Sequence, residues 1–188
     1  MPKRNLRKLV ILLATISIFT PAFVREAFAK TYSQVDPQLV KKVRQELATL
    51  PYYGVFDWLA FEVQPDGTVV LKGEVVRPTT KSDAENRVKK VQGVTKVVNE
   101  IEVLPLSPSD DRLRVALYRT LYNWDSPLFR YATQSIPPIH IIVKNGRATL
   151  KGVVDSKADA QLAYVRARSV PGLFDVKSEL IVEGEGAR

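Results

Sequence analysis

The sequence contains no cysteine and one histidine, His140. Without cysteine the chain can form no disulfide, no thiolate metal site and no cysteine nucleophile. A single histidine likewise leaves no His-based metal cluster, and no serine has a Ser-His-Asp grouping around it. Long apolar runs are missing too. The run from Leu9 to Phe19 is eleven residues, against about 20 for a spanning helix, and Pro21 follows it. No Gly-x-x-Gly occurs, which removes the loop that small α/β nucleic-acid domains close around a phosphate backbone. These absences leave no catalytic residue, no metal site, no cofactor and no nucleic-acid partner to propose.

What stands at the start is a targeting pattern. Lys3, Arg4, Arg7 and Lys8 precede the apolar run, and Ala27 and Ala29 then form an A-x-A cleavage site. That order describes a secretory signal peptide over residues 1–29, with a mature chain beginning at Lys30. A retained anchor is the competing reading, disfavoured by the short run. The 188-residue chain carries +8 at pH 7. The leader removes Lys3, Arg4, Arg7, Lys8 and Arg25 along with Glu26, so the mature charge is +4. Half of the basicity belongs to targeting. No cysteine follows the leader to take a lipid, so the expectation is a periplasmic protein without a lipid anchor.

Two stretches nearly repeat each other: "DGTVVLKG" from residue 66 and "NGRATLKG" from residue 145. Their glycines, Gly67 with Gly146 and Gly73 with Gly152, lie 79 residues apart, and Gly93 with Gly172 keep the same spacing. A fixed period across different local patterns marks an internal duplication. Each Asp-Gly or Asn-Gly pair is read as a hairpin turn with positive φ.

Around these anchors each copy reads as α-β-β-α-β. Leu39, Val43, Leu47 and Leu50 form one apolar helix face, as do Leu113, Leu117, Thr120, Leu121 and Trp124. Strands follow at 58–64 and 69–76, with counterparts at 139–144 and 148–154. Helices with Ala84, Val88 and Val91, or Ala163, Ala167 and Val170, inward lead to last strands at 96–104 and 175–183. The fold class is α+β, with domains over 35–104 and 110–183 and a linker at 105–109. Units of about 70 residues are marginal alone, so the copies should pack together or on a partner.

The "DGTVVLKGEV" and "NGRATLKGVV" hairpins, the alanine-bearing second helices, and "VQGVTKVVNEIEV" with "VPGLFDVKSELIV" together resemble the BON family of bacterial envelope domains, in tandem. The resemblance implies a non-enzymatic periplasmic module that binds phospholipid membranes or envelope proteins and serves osmotic resistance and envelope integrity. A second reading is a module for protein oligomerisation, through exposed strand edges.

One surface separates the copies. The helix positions expected to face outward are Lys41, Arg44, Gln45 and Ala48 in copy one, but Val115, Tyr118, Arg119 and Tyr122 in copy two. Arg112 and Arg114 flank that face, and Phe129, Arg130 and Tyr131 follow it. Aromatics beside arginine suit an anionic membrane surface. For Tyr118 and Tyr122 packing between the copies is the leading reading, ahead of membrane contact and then of a protein partner. Trp124 is expected in the core, and His140 is expected to be solvated or interfacial. Which lipid or protein is bound, and the oligomeric state, leave no mark in the sequence.

Overall fold

A computed structural model describes residues 35–184. The leader and its cleavage point lie outside the described residues. Among the described residues no helix is long and apolar enough to cross a membrane.

Copy one opens with α1 (Pro37–Ala48), capped by the Asp36 carboxylate, which accepts from the Gln38 amide. Leu39, Val43, Leu47 and Leu50 are all buried, as their spacing requires. Each such burial stabilises by about 1.5–3 kcal/mol. β1 (Trp58–Val63) pairs antiparallel with β2 (Thr68–Val75), and α2 (Pro78–Val88) carries the chain over to a parallel return beside β2.

That return is one strand in the sequence pattern and two in the structure, β3 (Lys96–Asn99) and β4 (Glu102–Val103). Asn99 causes the break. Its side chain donates to the Lys81 carbonyl and to Glu85, and accepts from the Ile101 amide, which pulls the strand toward α2.

Copy two repeats the plan. α3 (Pro108–Leu121) is capped by Ser107 and so starts inside the stretch read as linker. A single-turn α4 (Phe129–Ala132), absent from copy one, precedes β5 (Ile139–Lys144). β6 (Arg147–Val154), α5 (Lys157–Arg168) and β7 (Asp175–Val182) complete a three-stranded sheet in the order β5-β6-β7. Here Ser178 takes the place of Asn99, and β7 runs unbroken.

The glycine period is built into the register. Gly73 lies opposite Leu59 and Gly152 opposite Ile139. Both have strongly positive φ, +127° and +128°, and a Cβ there would come within 2.0 Å of the Trp58 carbonyl oxygen or 1.8 Å of that of Pro138. Only glycine lets the two strands approach so closely. The hairpin tips are not identical, however. Asn145 and Gly146 both have positive φ, the two-residue turn expected of them. In copy one Gly67 alone does, in a three-residue loop closed by Gly67 N–H to the Gln64 carbonyl (3.0 Å) and Gln64 N–H to that of Thr68 (2.8 Å). Copy two therefore gains six residues before its first strand and loses one in the turn.

The copies pack together. The loop between α1 and β1, residues 53–57, runs along β5, and the Ile141 N–H donates to the Val55 carbonyl at 2.8 Å. His140 is buried there, stacked on Tyr53 at 5.6 Å and edge-on to Trp58 at 5.2 Å. Ion pairs Lys151–Glu74 (3.0 Å) and Lys144–Glu102 (2.5 Å) rim the contact. The interfacial reading of His140 holds; the solvated one does not.

Candidate functional site

α3, the loop after it and α4 carry every residue that set copy two apart. Leu113, Leu117 and Leu121 bury against the sheet. Arg112, Val115 and Arg119, three and four positions apart, share the exposed side. Val115 and Arg119 thus stand where the helical rotation puts them.

The two tyrosines do not. Tyr122 is buried, and its hydroxyl donates to the Ile139 carbonyl at 2.7 Å. Burial, opposed by that backbone contact, pushes its phenol well above the ordinary value. Tyr118 is half-buried between Tyr122, at 5.1 Å, and Phe56 of copy one, at 6.2 Å. Arg114, read as a flank of the outer face, is also buried; it pairs with Asp111 and donates to the Val143 carbonyl at 2.7 Å. The cause is common to all three. A helical wheel assigns one buried side, whereas α3 lies against both the face of the sheet and the edge strand β5. Outward carbonyls of β5 need donors, which Tyr122 and Arg114 supply, and Tyr118 packs its ring between Tyr122 and the loop of copy one that covers that edge. Packing between the copies is the fate of Tyr118, and a place in copy two's own core is that of Tyr122.

Trp124 reverses the other way. Expected in the core, it is 82% exposed. α3 ends at Leu121 with Tyr122 as its cap, so the rotation of 100° per residue stops before reaching Trp124. Leu128 and Tyr131 fill the core position instead. The loop is held in tight turns: Ser126 N–H to the Asn123 carbonyl (2.9 Å), Phe129 N–H to that of Ser126 (2.9 Å), and Leu128 N–H to Ser126 Oγ (3.2 Å). With Leu128 fully buried, Trp124 and the 42%-exposed Phe129 are left at the surface. The sequence did carry a signal for this. "NWDSP" is a cluster of turn residues that ends a helix before the tryptophan.

Arg130 is not a free cation. Its guanidinium donates to Asp159 at 2.6 Å and reaches Asp155 at 3.4 Å, while the Tyr131 hydroxyl donates to the same Asp159 oxygen at 3.1 Å. It fastens α4 to the start of α5. The remaining outward surface is therefore Arg112, Val115 and Arg119 on the helix, with Trp124 and Phe129 beyond its end. Among the described residues no three His, Cys, Asp or Glu side chains are grouped to hold a metal ion.

The BON domain family matches this chain over residues 36–105 and again over 128–184. The second segment starts within the loop after α3, so Trp124 and the helix lie just ahead of it. No curated protein sequence matches the chain. Among the similar solved structures are two of CdsD, described as a structural protein of the type III secretion system of Chlamydia trachomatis. Its C-terminal domain aligns at 12% identity over 78% of this chain and 98% of that one, with a TM-score of 0.29. A second CdsD structure aligns at 16% over 79% and 95%, with a TM-score of 0.28. At those scores neither likeness bears on function.

Proposed function

The chain belongs to the BON domain family, and from that premise we propose that it is an exported, non-enzymatic periplasmic adaptor that binds anionic phospholipid membrane in envelope maintenance and osmotic stress. The observation that carries this reading is Trp124. It is 82% exposed on a loop whose fully buried Leu128 fixes the chain beneath it, so the ring is held out at the surface. Indole settles at the headgroup level of a bilayer, and Phe129 adds apolar area close by in the chain. Arg112 and Arg119 on α3 supply attraction for anionic headgroups. The contact is peripheral and reversible, and screened by salt.

Flotation with vesicles of phosphatidylcholine and phosphatidylglycerol tests the reading. The protein should float at low salt and lose most of its binding at 0.5 M. Trp124→Ser with Arg119→Glu should abolish flotation, and the arginine change alone should weaken it roughly tenfold. Neither substitution touches the core, so the melting temperature should hold within about 2 °C. Undiminished flotation of the double variant would sink the proposal.

A further inference from the structure

The two copies differ along the outer edge of their first strands, and in copy one that edge is open. In copy two each of its three outward residues has a partner. Tyr122 Oη donates to the Ile139 carbonyl, the Ile141 N–H donates to the Val55 carbonyl, and Arg114 Nη2 donates to the Val143 carbonyl. β1 holds the corresponding place, since Phe61 lies opposite Leu71 as Ile141 lies opposite Leu150. Of the three corresponding residues, Leu59 is reached through its backbone by the Tyr53 hydroxyl. Among the described residues, Phe61 and Val63 have no such partner on the outward side.

α1 explains the opening. Where α3 has Arg114, Tyr118 and Tyr122, copy one has Val40, Arg44 and Ala48. Those three residues, with Leu59, Phe61 and Val63, line a groove of about 470 Å³ between α1 and β1. Apart from Arg44, the one charged side chain, and the Tyr53 hydroxyl, the lining is apolar. Among the described residues, the space filled from within in copy two is therefore free in copy one, beside strand groups of Phe61 and Val63 that have no protein partner.

We propose that this groove docks an extended peptide strand of a partner protein, which pairs with the edge of β1, sets a large apolar side chain against α1 and presents a carboxylate to Arg44. The molecule already contains the strand and aromatic parts of such an arrangement. In copy two the cover is residues 55–57, where Val55 pairs with Ile141 and Phe56 packs edge-on to Tyr118, while the Asp57 carboxylate turns back to accept from the Gly54 and Val76 amides of copy one. Transposed to copy one, the Tyr118 position is Arg44, which turns an aromatic contact into a cationic one. An acidic residue is the complement. A second copy of this chain is a poor occupant, because its own Val-Phe-Asp segment is engaged at β5. A lipid tail would fill the apolar space but leave the Phe61 N–H and the Arg44 charge without partners. Strand addition satisfies all three at once.

The test uses a synthetic acetylated peptide with the sequence of residues 53–59, YGVFDWL, titrated into the isotope-labelled full chain. Amide shifts should concentrate on residues 59–63 and on 40–48. Replacing the peptide's aspartate by asparagine, or Arg44→Glu in the protein, should weaken binding roughly tenfold. Ala48→Tyr, which installs the residue that copy two uses, should abolish binding and raise the melting temperature. Arg44 is on the helix surface, so its variant stays informative if Ala48→Tyr folds poorly. The proposal is overturned if millimolar peptide leaves residues 59–63 unmoved, or if both variants bind as well as the parent. Self-association through β1 that the peptide does not relieve would overturn it in favour of a second copy. The same amides moving with phosphatidylglycerol vesicles instead would overturn it in favour of lipid.

Discussion

Asp159 shows how a single side chain can hold a loop. One oxygen of its carboxylate accepts from Arg130 (2.6 Å), Ser156 (2.6 Å) and Tyr131 (3.1 Å), and the Tyr131 hydroxyl in turn accepts from the Asp155 amide. Burial opposes its ionisation, yet hydrogen bonds from Ser156, Arg130 and Tyr131 together hold it below the usual carboxylate range. The folded protein therefore takes up this proton less readily than the unfolded chain. Stability from Asp159 is full above about pH 4 and is lost as pH falls through the lower folded value. Asp159→Ala should cost about 1–3 kcal/mol at pH 7 and shrink the acid-range slope in pH-dependent melts. An unchanged slope would show that the hydrogen bonds do not discriminate between the charged and neutral forms. The same substitution should loosen α4, and with it the base on which Trp124 is carried.

Among the elements, the hairpins are the strictest. Gly152→Ala would drive a Cβ into the Pro138 carbonyl, a backbone atom that cannot yield without parting β5 from β6. At Gly146 the nearest obstacle is the Phe174 ring, 80% exposed and free to swing away. We expect a loss of about 3 kcal/mol or more at Gly152 and about 1 kcal/mol at Gly146, read by urea unfolding. Equal losses would mean that φ alone, not the close strand approach, sets the cost. These elements were legible because helix and strand periods, turn pairs and the 79-residue repeat all pointed the same way. The break at Asn99 was not, since a strand pattern does not show that one amide will bond a neighbouring helix. The candidate surface was legible by half. Val115, Arg119 and Phe129 are outward as their positions suggested. Tyr118 and Tyr122 were misplaced because rotation about one helix says nothing of a strand edge beside it, and Trp124 because the helix stops short of it.

For the molecule as a whole, the contact between copies is what stability tests should read. His140 sits in it, stacked on Tyr53 and edge-on to Trp58, and burial holds its imidazole below the ordinary value despite nearby carbonyls of Asp57 and Gly54. The unfolded chain takes this proton near pH 6.5 and the folded one only at lower pH. Stability should thus be full above about pH 6.5 and decline on acidification, by at most about 1.4 kcal/mol per pH unit, until the folded imidazole itself titrates. His140→Phe should flatten melts between pH 7.5 and 5, and a parent protein already flat in that window would refute the coupling. The loop that covers His140 also makes the duplication one-sided. Copy one lends residues 53–57 to close the β5 edge, and nothing in copy two does the same for β1. In terms of what each copy lends the other, copy one gives a backbone partner to a strand edge and copy two gives an apolar bed to a loop. Either loss would leave its mark, but in different places: without copy two the side chains of Val55 and Phe56 lose the core they pack on, and without copy one the backbone of β5 loses the carbonyl that meets Ile141.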